Sequence, residues 1–425
     1  MSTKVKISQK NITPFGGAEF IGKVLKDKNI KSVFHHHLGQ RSDNARYSYG
    51  QLVLDQALTH LCGGSRIEDI EKVRETGLKA VSDASPDTIA RAMQELATDN
   101  EEYTSASGTK HSFNYNDRLN NLLLQTSLYT GLLNQKDAYC LDYDNMVHEN
   151  SKRDAQPTYK NTRGYQPGLA FIGKLPVYVC GRNGNSNATY RQADTLERCL
   201  DMLTNSGVKI NQFRADSASS LKEVISLLDS KGINYYIRYR NSHAEVEYQA
   251  HKVSHWHEVH LKNMSFEIGE TRFQPFEGSK EVRLIISRIK KGGTANVFSG
   301  DDYSYHGIIT SDEQSSAESI LHFYNQRGEI EKNFDILNND FNWNYLPFST
   351  MAYNTVYMIL TAIHMVLFEW IKSLLSNQKE VRPAMRLKGF IFHFISVSGQ
   401  WIKRGGQWML KLFSQQKSHL MRFEI

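Results

Sequence analysis

Tyr139-Cys140-Leu141-Asp142-Tyr143-Asp144, with Ala138 before it, is the stretch on which the fold turns. Its alternation predicts a β-strand. Asp142 and Asp144 stand two residues apart, so both carboxylates face one side of that strand. Acids set among apolar strand residues are costly unless they bind something. Asp144 is nearer the strand end, where ligand sites of such sheets lie, so it is the preferred ligand and Asp142 the alternative.

Downstream, residues 168–172 and 175–180 are predicted strands joined by a hairpin turn at Gly173-Lys174. An amphipathic helix over 193–203 follows. Next come a strand over 208–215 ending at Asp216, a helix over 220–228 ended by Gly232, and a strand over 233–240. The order β-β-β-α-β-α-β is an antiparallel meander followed by alternating β and α, the order of a ribonuclease-H-like fold. Residues 243–310 break the rhythm. Strand-like runs at 246–260, 265–273, 282–289, 295–298 and 303–309, several of them separated by Gly-containing turns, predict an inserted antiparallel β subdomain. Ser311-Asp312 is then expected to cap one long helix running to about Asn338. Tyr324, Arg327 and Glu331 share a face of that helix, while Glu329 points nearly the opposite way. An ordinary surface helix with an Arg–Glu pair would read the same.

Upstream, apolar spacing predicts helices over 20–33, 49–61, 66–74, 85–97 and 118–133. Ser85-Pro86 has the form of an N-cap followed by Pro at the first helical position. Short helices with brief joints fit a helix-turn-helix-like DNA-binding domain or a generic helical one. His35-His36-His37 points in different directions on any regular element, so a loop or helix cap is expected there rather than a metal tract. The whole is an α/β chain: a helical, DNA-binding domain over 1–135 and the first part of the core over 136–242. The β insertion covers 243–310, the final core helices 311–371, and a helical basic region 372–425.

The chain has 425 residues, 40% hydrophobic and 23% charged, which predicts two to four domains and no disorder. From residue 372 onward, ten Lys or Arg against Glu380 and Glu424 leave +8, so the remainder of the +6 chain carries −2. Arg382, Arg386, Lys388, Lys403 and Arg404 stand there among Phe390, Phe392, Phe394 and Trp401, a mixture suited to DNA or to a membrane surface. Cys62, Cys140, Cys180 and Cys199 form no C-x-x-C pair; free buried thiols fit a reducing cytoplasm. The first 15 residues lack the apolar stretch of a secretory signal. The apolar run 351–371 contains Asn354, His364 and Glu369 and is expected to be a buried helix rather than a membrane span.

Three carboxylates on separate elements, Asp144, Asp216 and Glu331, can hold paired Mg2+ ions over a phosphodiester. Tyr324-Asn325-Gln326-Arg327-Gly328-Glu329-Ile330-Glu331 carries a Tyr-x-x-Arg-x-x-x-Glu signature in full. With Leu141-Asp142-Tyr143-Asp144-Asn145 and Arg214-Ala215-Asp216-Ser217, it resembles the DDE transposases of bacterial insertion sequences, in particular insertion-sequence family thirteen-eighty. Gly164-Tyr165-Gln166-Pro167 and Arg182-Asn183-Gly184-Asn185 resemble the intervening segments. The likeness covers roughly residues 135–370. Two departures stand out: Asn338 where the wider signature often has Lys, and Asn145-Met146 after Asp144 where a Thr is common.

The resemblance implies cut-and-paste transposition: metal-dependent strand cleavage and strand transfer at terminal inverted repeats. It implies two Mg2+, with Mn2+ able to substitute, on Asp144, Asp216 and Glu331. Arg327 would hold a phosphate, Tyr324 the DNA backbone, and Trp256 a base flipped from the DNA end; Arg386, Lys388, Lys403 and Arg404 would lie on DNA. It implies as partners double-stranded DNA, both terminal repeats and target, with a homodimer on DNA and no membrane, in the bacterial cytoplasm at the nucleoid. A ribonuclease-H-like nuclease and a catalytically inactive DNA-binding relative remain the alternatives.

Overall fold

The computed structural model describes residues 11–240, 243–261, 264–290, 303–376 and 381–414. Strand β1 (Ile12–Thr13) leads into helices α1 (Gly16–Asp27), α2 (Ile30–Leu38), α3 (Tyr49–Leu61), α4 (Asp69–Glu75) and α5 (Pro86–Glu95). The Ser85 side chain accepts from the Thr88 amide and Pro86 occupies the first turn of α5, the capping chemistry expected there. His35, His36 and His37 occupy the last turn of α2, inside the helix and not in the loop or cap expected. A hairpin that the apolar spacing had not signalled, β2 (Glu101–Thr104) and β3 (Lys110–Asn114), precedes α6 (Asp117–Tyr129).

The central region begins with β4 (Ala138–Asn145). Three short strands, β5 (His148–Glu149), β6 (Gln156–Pro157) and β7 (Arg163–Tyr165), form a small sheet of their own. Then come β8 (Gly168–Ile172), β9 (Leu175–Arg182), α7 (Gln192–Asn205), β10 (Lys209–Ala215), α8 (Lys222–Ser230) and β11 (Asn234–Arg238). Strands β9, β8 and β4 are antiparallel neighbours, and β10 and β11 continue parallel to β4. This is the meander and alternation expected from the sequence.

The segment after β11 departs from expectation in two ways. The run expected as one strand over 246–260 divides into α9 (His243–Ala250) and β12 (His257–Leu261). Strands β13 (Met264–Phe273), β14 (Val282–Lys290) and β15 (Tyr303–Thr310) follow, and β15 pairs antiparallel with β11. The β-rich segment therefore extends the central sheet instead of building a separate one. The result is an 11-stranded sheet in the order β12-β13-β14-β15-β11-β10-β4-β8-β9-β3-β2. The strand expected over 295–298 lies outside the described residues.

The expected long helix is also divided. Its cap is Ser316, whose side chain accepts from the Ser319 amide, and not Ser311-Asp312. Helix α10 (Ala317–Asn325) gives way to a 3-10 turn (Gln326–Gly328) and then α11 (Glu329–Asn339). Helix α12 (Met351–Leu374) is long and apolar enough to span a membrane, and it packs on α3, α5, α6 and β9. At Gly181 of β9 an added Cβ would fall 2.1 Å from the Thr355 hydroxyl, so only glycine admits α12 this close.

The basic region is not the helix expected. A short α13 (Leu387–Phe390) and a π-helical turn (Ile391–Ile395) lead to the hairpin β16 (Gly399–Arg404) and β17 (Gln407–Leu412). Strand β16 pairs with β1, which brings the two ends of the described chain together. One apolar core runs from Ala18 through the sheet and α12 to Ile395. A second, smaller cluster joins Ile268, Ile285 and Ile308 to Ile320 and Leu321 of α10.

Candidate active site

Strands β4 and β10 run parallel, with Arg214 opposite Asp142 and Ala215 opposite Tyr143. The next pair in that register is Asp144 and Asp216, so two carboxylates leave the C-terminal ends of adjacent parallel strands side by side. Along β4, Leu141 and Tyr143 enter the main core. Asp142 and Asp144 face the other way, toward α10 and the 3-10 turn, as period two requires.

Asp142 is locked. Arg214 Nε and Nη2 each donate to it at 2.7 Å, both side chains being buried. The same guanidinium donates through Nη1 to the Phe323 carbonyl at 2.7 Å and to Gln326 Oε1 at 3.4 Å, and it covers the Phe323 ring. One side chain thus ties β4 and β10 to the helical segment carrying Tyr324 and Arg327. With its oxygens committed to a bidentate pair, Asp142 is poorly placed as the alternative metal ligand.

Asp144 is 19% exposed at its side chain. Its Oδ1 accepts from the Asn145 amide at 2.7 Å, and its Oδ2 from Arg327 Nη1 at 3.2 Å. Burial pushes its carboxyl up to about 6, with the Asp216 charge adding to the rise and Arg327 opposing it. Asp216 caps the 3-10 turn Ser217–Ser219, accepting from the Ala218 amide at 2.9 Å. Glu331 stands in the first turn of α11 with its side chain 70% exposed, 3.5 Å from Arg327 Nη2. Arg327 therefore bridges Asp144 and Glu331. Burial raises the Tyr324 phenol, while the Arg327 and Arg238 charges pull it down. Among the described residues, no three His, Cys, Asp or Glu side chains gather as a metal site. The Asp216 charge acts on Asp144, and Arg327 pairs with both Asp144 and Glu331.

A family model described as "Transposase DDE domain group 1" matches residues 2–421. The chain belongs to this DDE transposase family. Among solved structures it is similar to a piggyBac transposase synaptic complex with hairpin DNA, at 11% identity and a TM-score of 0.42, covering 91% of this chain and 82% of that one. No curated protein sequence matches it.

Two arginines of this transposase have roles that the sequence does not reveal. Arg214 precedes Asp216 by two residues, and only the strand register shows that it meets Asp142. Arg238 ends β11, the parallel strand next to β10, with its guanidinium 2.9 Å from His306 Nδ1 and its charge felt at Tyr324. The two departures in the sequence pattern prove to touch one another: Asn338 Nδ2 lies 3.2 Å from Met146 Sδ.

The remaining candidate residues are dispersed. Trp256 is half-buried beside the edge strand β12, with the Arg288 guanidinium 3.9 Å from its ring centre. Arg386 pairs with Asp340 at 2.9 Å and also with Asp335, fastening α13 to the end of α11. Lys388 is exposed on α13, and Lys403 and Arg404 are exposed at the end of β16.

Proposed function

We propose that this transposase cuts and rejoins DNA at the inverted repeats of a bacterial insertion sequence of family thirteen-eighty, by cut-and-paste, on a ribonuclease-H-like core. The observation that carries the reading is the pair Asp144 and Asp216 at adjacent strand ends, with Arg327 spanning Asp144 and Glu331. The donor set is hard oxygen, the chemistry that Mg2+ or Mn2+ takes. Burial first, and then the Asp216 charge, disfavours the ionised Asp144 carboxyl despite Arg327, a cost that a divalent ion would offset. Asp144 and Asp216 would hold it, with Glu331 as the third ligand. Bound there, two metals would activate water or a DNA 3′-hydroxyl and stabilise the leaving 3′ oxygen.

The chain's own residues do the rest in this reading. Arg327 holds the scissile or flanking phosphate by a charge-assisted bond, and Tyr324 orients the backbone beside it. Trp256 would take an unpaired base on its ring once Arg288 leaves it, and Lys388, Lys403 and Arg404 offer charge to flanking DNA. Pairing two element ends calls for a homodimer on DNA, working at the nucleoid.

The test is cleavage of DNA carrying the element's terminal repeats. Asp216→Asn and Glu331→Gln are each expected to abolish Mg2+-dependent cleavage while gel-shift binding to the same ends persists. Undiminished cleavage by both variants would sink the assignment. A wild-type protein that binds ends and never cuts them would instead be the inactive relative.

A further inference from the structure

The N-terminal helices and the basic C-terminal hairpin, which the sequence presents as two separate DNA-binding candidates, meet at one groove. Strand β1 pairs with β16, the Trp401 amide donates to the Asn11 carbonyl at 2.8 Å, and Trp401 Nε1 donates to the Gly77 carbonyl at 2.9 Å. Between α1 and the hairpin lies a cavity of about 860 Å³. Four lysines line it: Lys23 and Lys26 one turn apart on α1, Lys31 on α2, and Lys79. All four are exposed. Among the described residues of the lining, the one acid is Glu19, whose carboxylate already accepts from the backbone amides of Lys79 and Ala80, at 2.9 and 3.0 Å.

Lys79 is held in place by aromatic rings. Its ammonium sits 4.5 Å from the Trp401 ring centre and 3.4 Å from that of Trp408, a residue 51% exposed. Cation–π contacts on both rings fix a charge that would otherwise swing freely. The ring faces so used are not open for stacking a base. What the groove offers is an array of positive charge with little opposing acid, and the partner of matching chemistry is a phosphate backbone.

We propose that this groove is a composite site for the backbone of duplex DNA, built jointly by α1, α2, the Lys79 segment and the C-terminal hairpin. The proposal rests on the reading of the protein as a DNA transposase and names a surface for that DNA away from the carboxylates. Its contacts are with phosphates, so they steady the protein on DNA without reading sequence.

The experiment is salt-dependent binding of full-length protein to a labelled duplex of random sequence, without metal, so that cleavage plays no part. For Lys23→Ala/Lys26→Ala, two lost phosphate contacts should reduce the slope of log K against log salt by about 1.8. Trp408→Ala, on the hairpin, is expected to weaken binding several-fold by releasing Lys79. Unchanged slope and affinity in the lysine variant overturn the proposal, as does a wild-type protein that fails to bind duplex. An affected lysine variant beside an unaffected Trp408→Ala confines the site to α1 and overturns the composite groove. Phosphatidylserine vesicles are the second probe: vesicle binding lost with DNA binding intact assigns the groove to lipid and overturns it too. Wild-type protein that shows no metal-dependent cleavage overturns the catalytic reading alone, whatever the slopes.

Discussion

Asp144 pays for its position. Its carboxyl titrates near 6 in the folded chain against an ordinary 3.8, because burial and the Asp216 charge both disfavour its ionised form. The folded state therefore holds a proton that the unfolded state has released between those two values. Stability then falls as pH rises through this window, and the penalty is full above about 6. Asp144→Asn is expected to raise the stability of the metal-free protein at pH 7.5 by about 1–3 kcal/mol, and to change it little at pH 4. Thermal melts at the two pH values check this; a gain of equal size at both would show that ionisation is not the cause. Mg2+ should raise the wild-type melting temperature at pH 7.5 and leave that of Asp144→Asn unmoved. The placing of Asp144 and Asp216 at strand ends follows from local alternation, whereas Tyr324, Arg327 and Glu331, expected on one continuous helix, stand on α10, a 3-10 turn and α11. The preference for Asp144 over Asp142 was legible only as a position along a strand. Its physical reason, the Arg214 guanidinium occupying both Asp142 oxygens, depends on a pairing across 72 residues.

Elements follow the sequence periodicity where one period dominates and depart from it where two compete. Helix α3 matches its predicted bounds, and α5 starts at the Ser85-Pro86 signal. In α9, Val246 and Ala250 are buried four residues apart, a helical period hidden in a run that alternates closely enough to suggest a strand. The hairpin β16–β17 turns on Gly405-Gly406, both at positive φ (56° and 79°), a two-residue turn between alternating strands. That signal was present in the sequence and was outweighed by the basic and aromatic residues around it. The break between α10 and α11 falls at Gln326-Arg327-Gly328, where glycine lowers helix propensity and a 3-10 turn tightens the path. The turn carries Arg327, and its place against β4 and β10 is secured by Arg214 through Phe323 and Gln326. Asp142→Asn should therefore act on the assembly of three elements. Leaving the Arg214 charge buried and unpaired is expected to cost about 3–5 kcal/mol, read as a lower urea midpoint. A midpoint within error of wild type would show that the pair does not hold these elements together.

At the scale of the molecule, the boundaries drawn along the sequence do not divide the core. Phe34 and Leu58 of the N-terminal helices belong to one buried cluster with Leu141 of β4, Ile363 of α12 and Phe390 of α13. Helix α6 and hairpin β2–β3 rest on β9 and α12, so the first 135 residues share their apolar surface with the central sheet and its longest helix. Expressed alone, residues 1–135 are expected to lack a cooperative thermal transition, because that surface loses its cover. A sharp circular-dichroism melt of the fragment would show an independent domain. The sequence by itself determined the strand and helix types from β4 to β11 and the acids at the ends of β4 and β10. Each of these is written in spacings of two to seven residues, within reach of local periodicity. Tertiary structure alone decided that β12 to β15 extend the central sheet, that the N-terminal helices and the hairpin β16–β17 make one groove, and that Arg214 pairs with Asp142. Those outcomes depend on strand register and on contacts between residues tens to hundreds apart, where free energy is set by which surfaces meet and not by any local pattern.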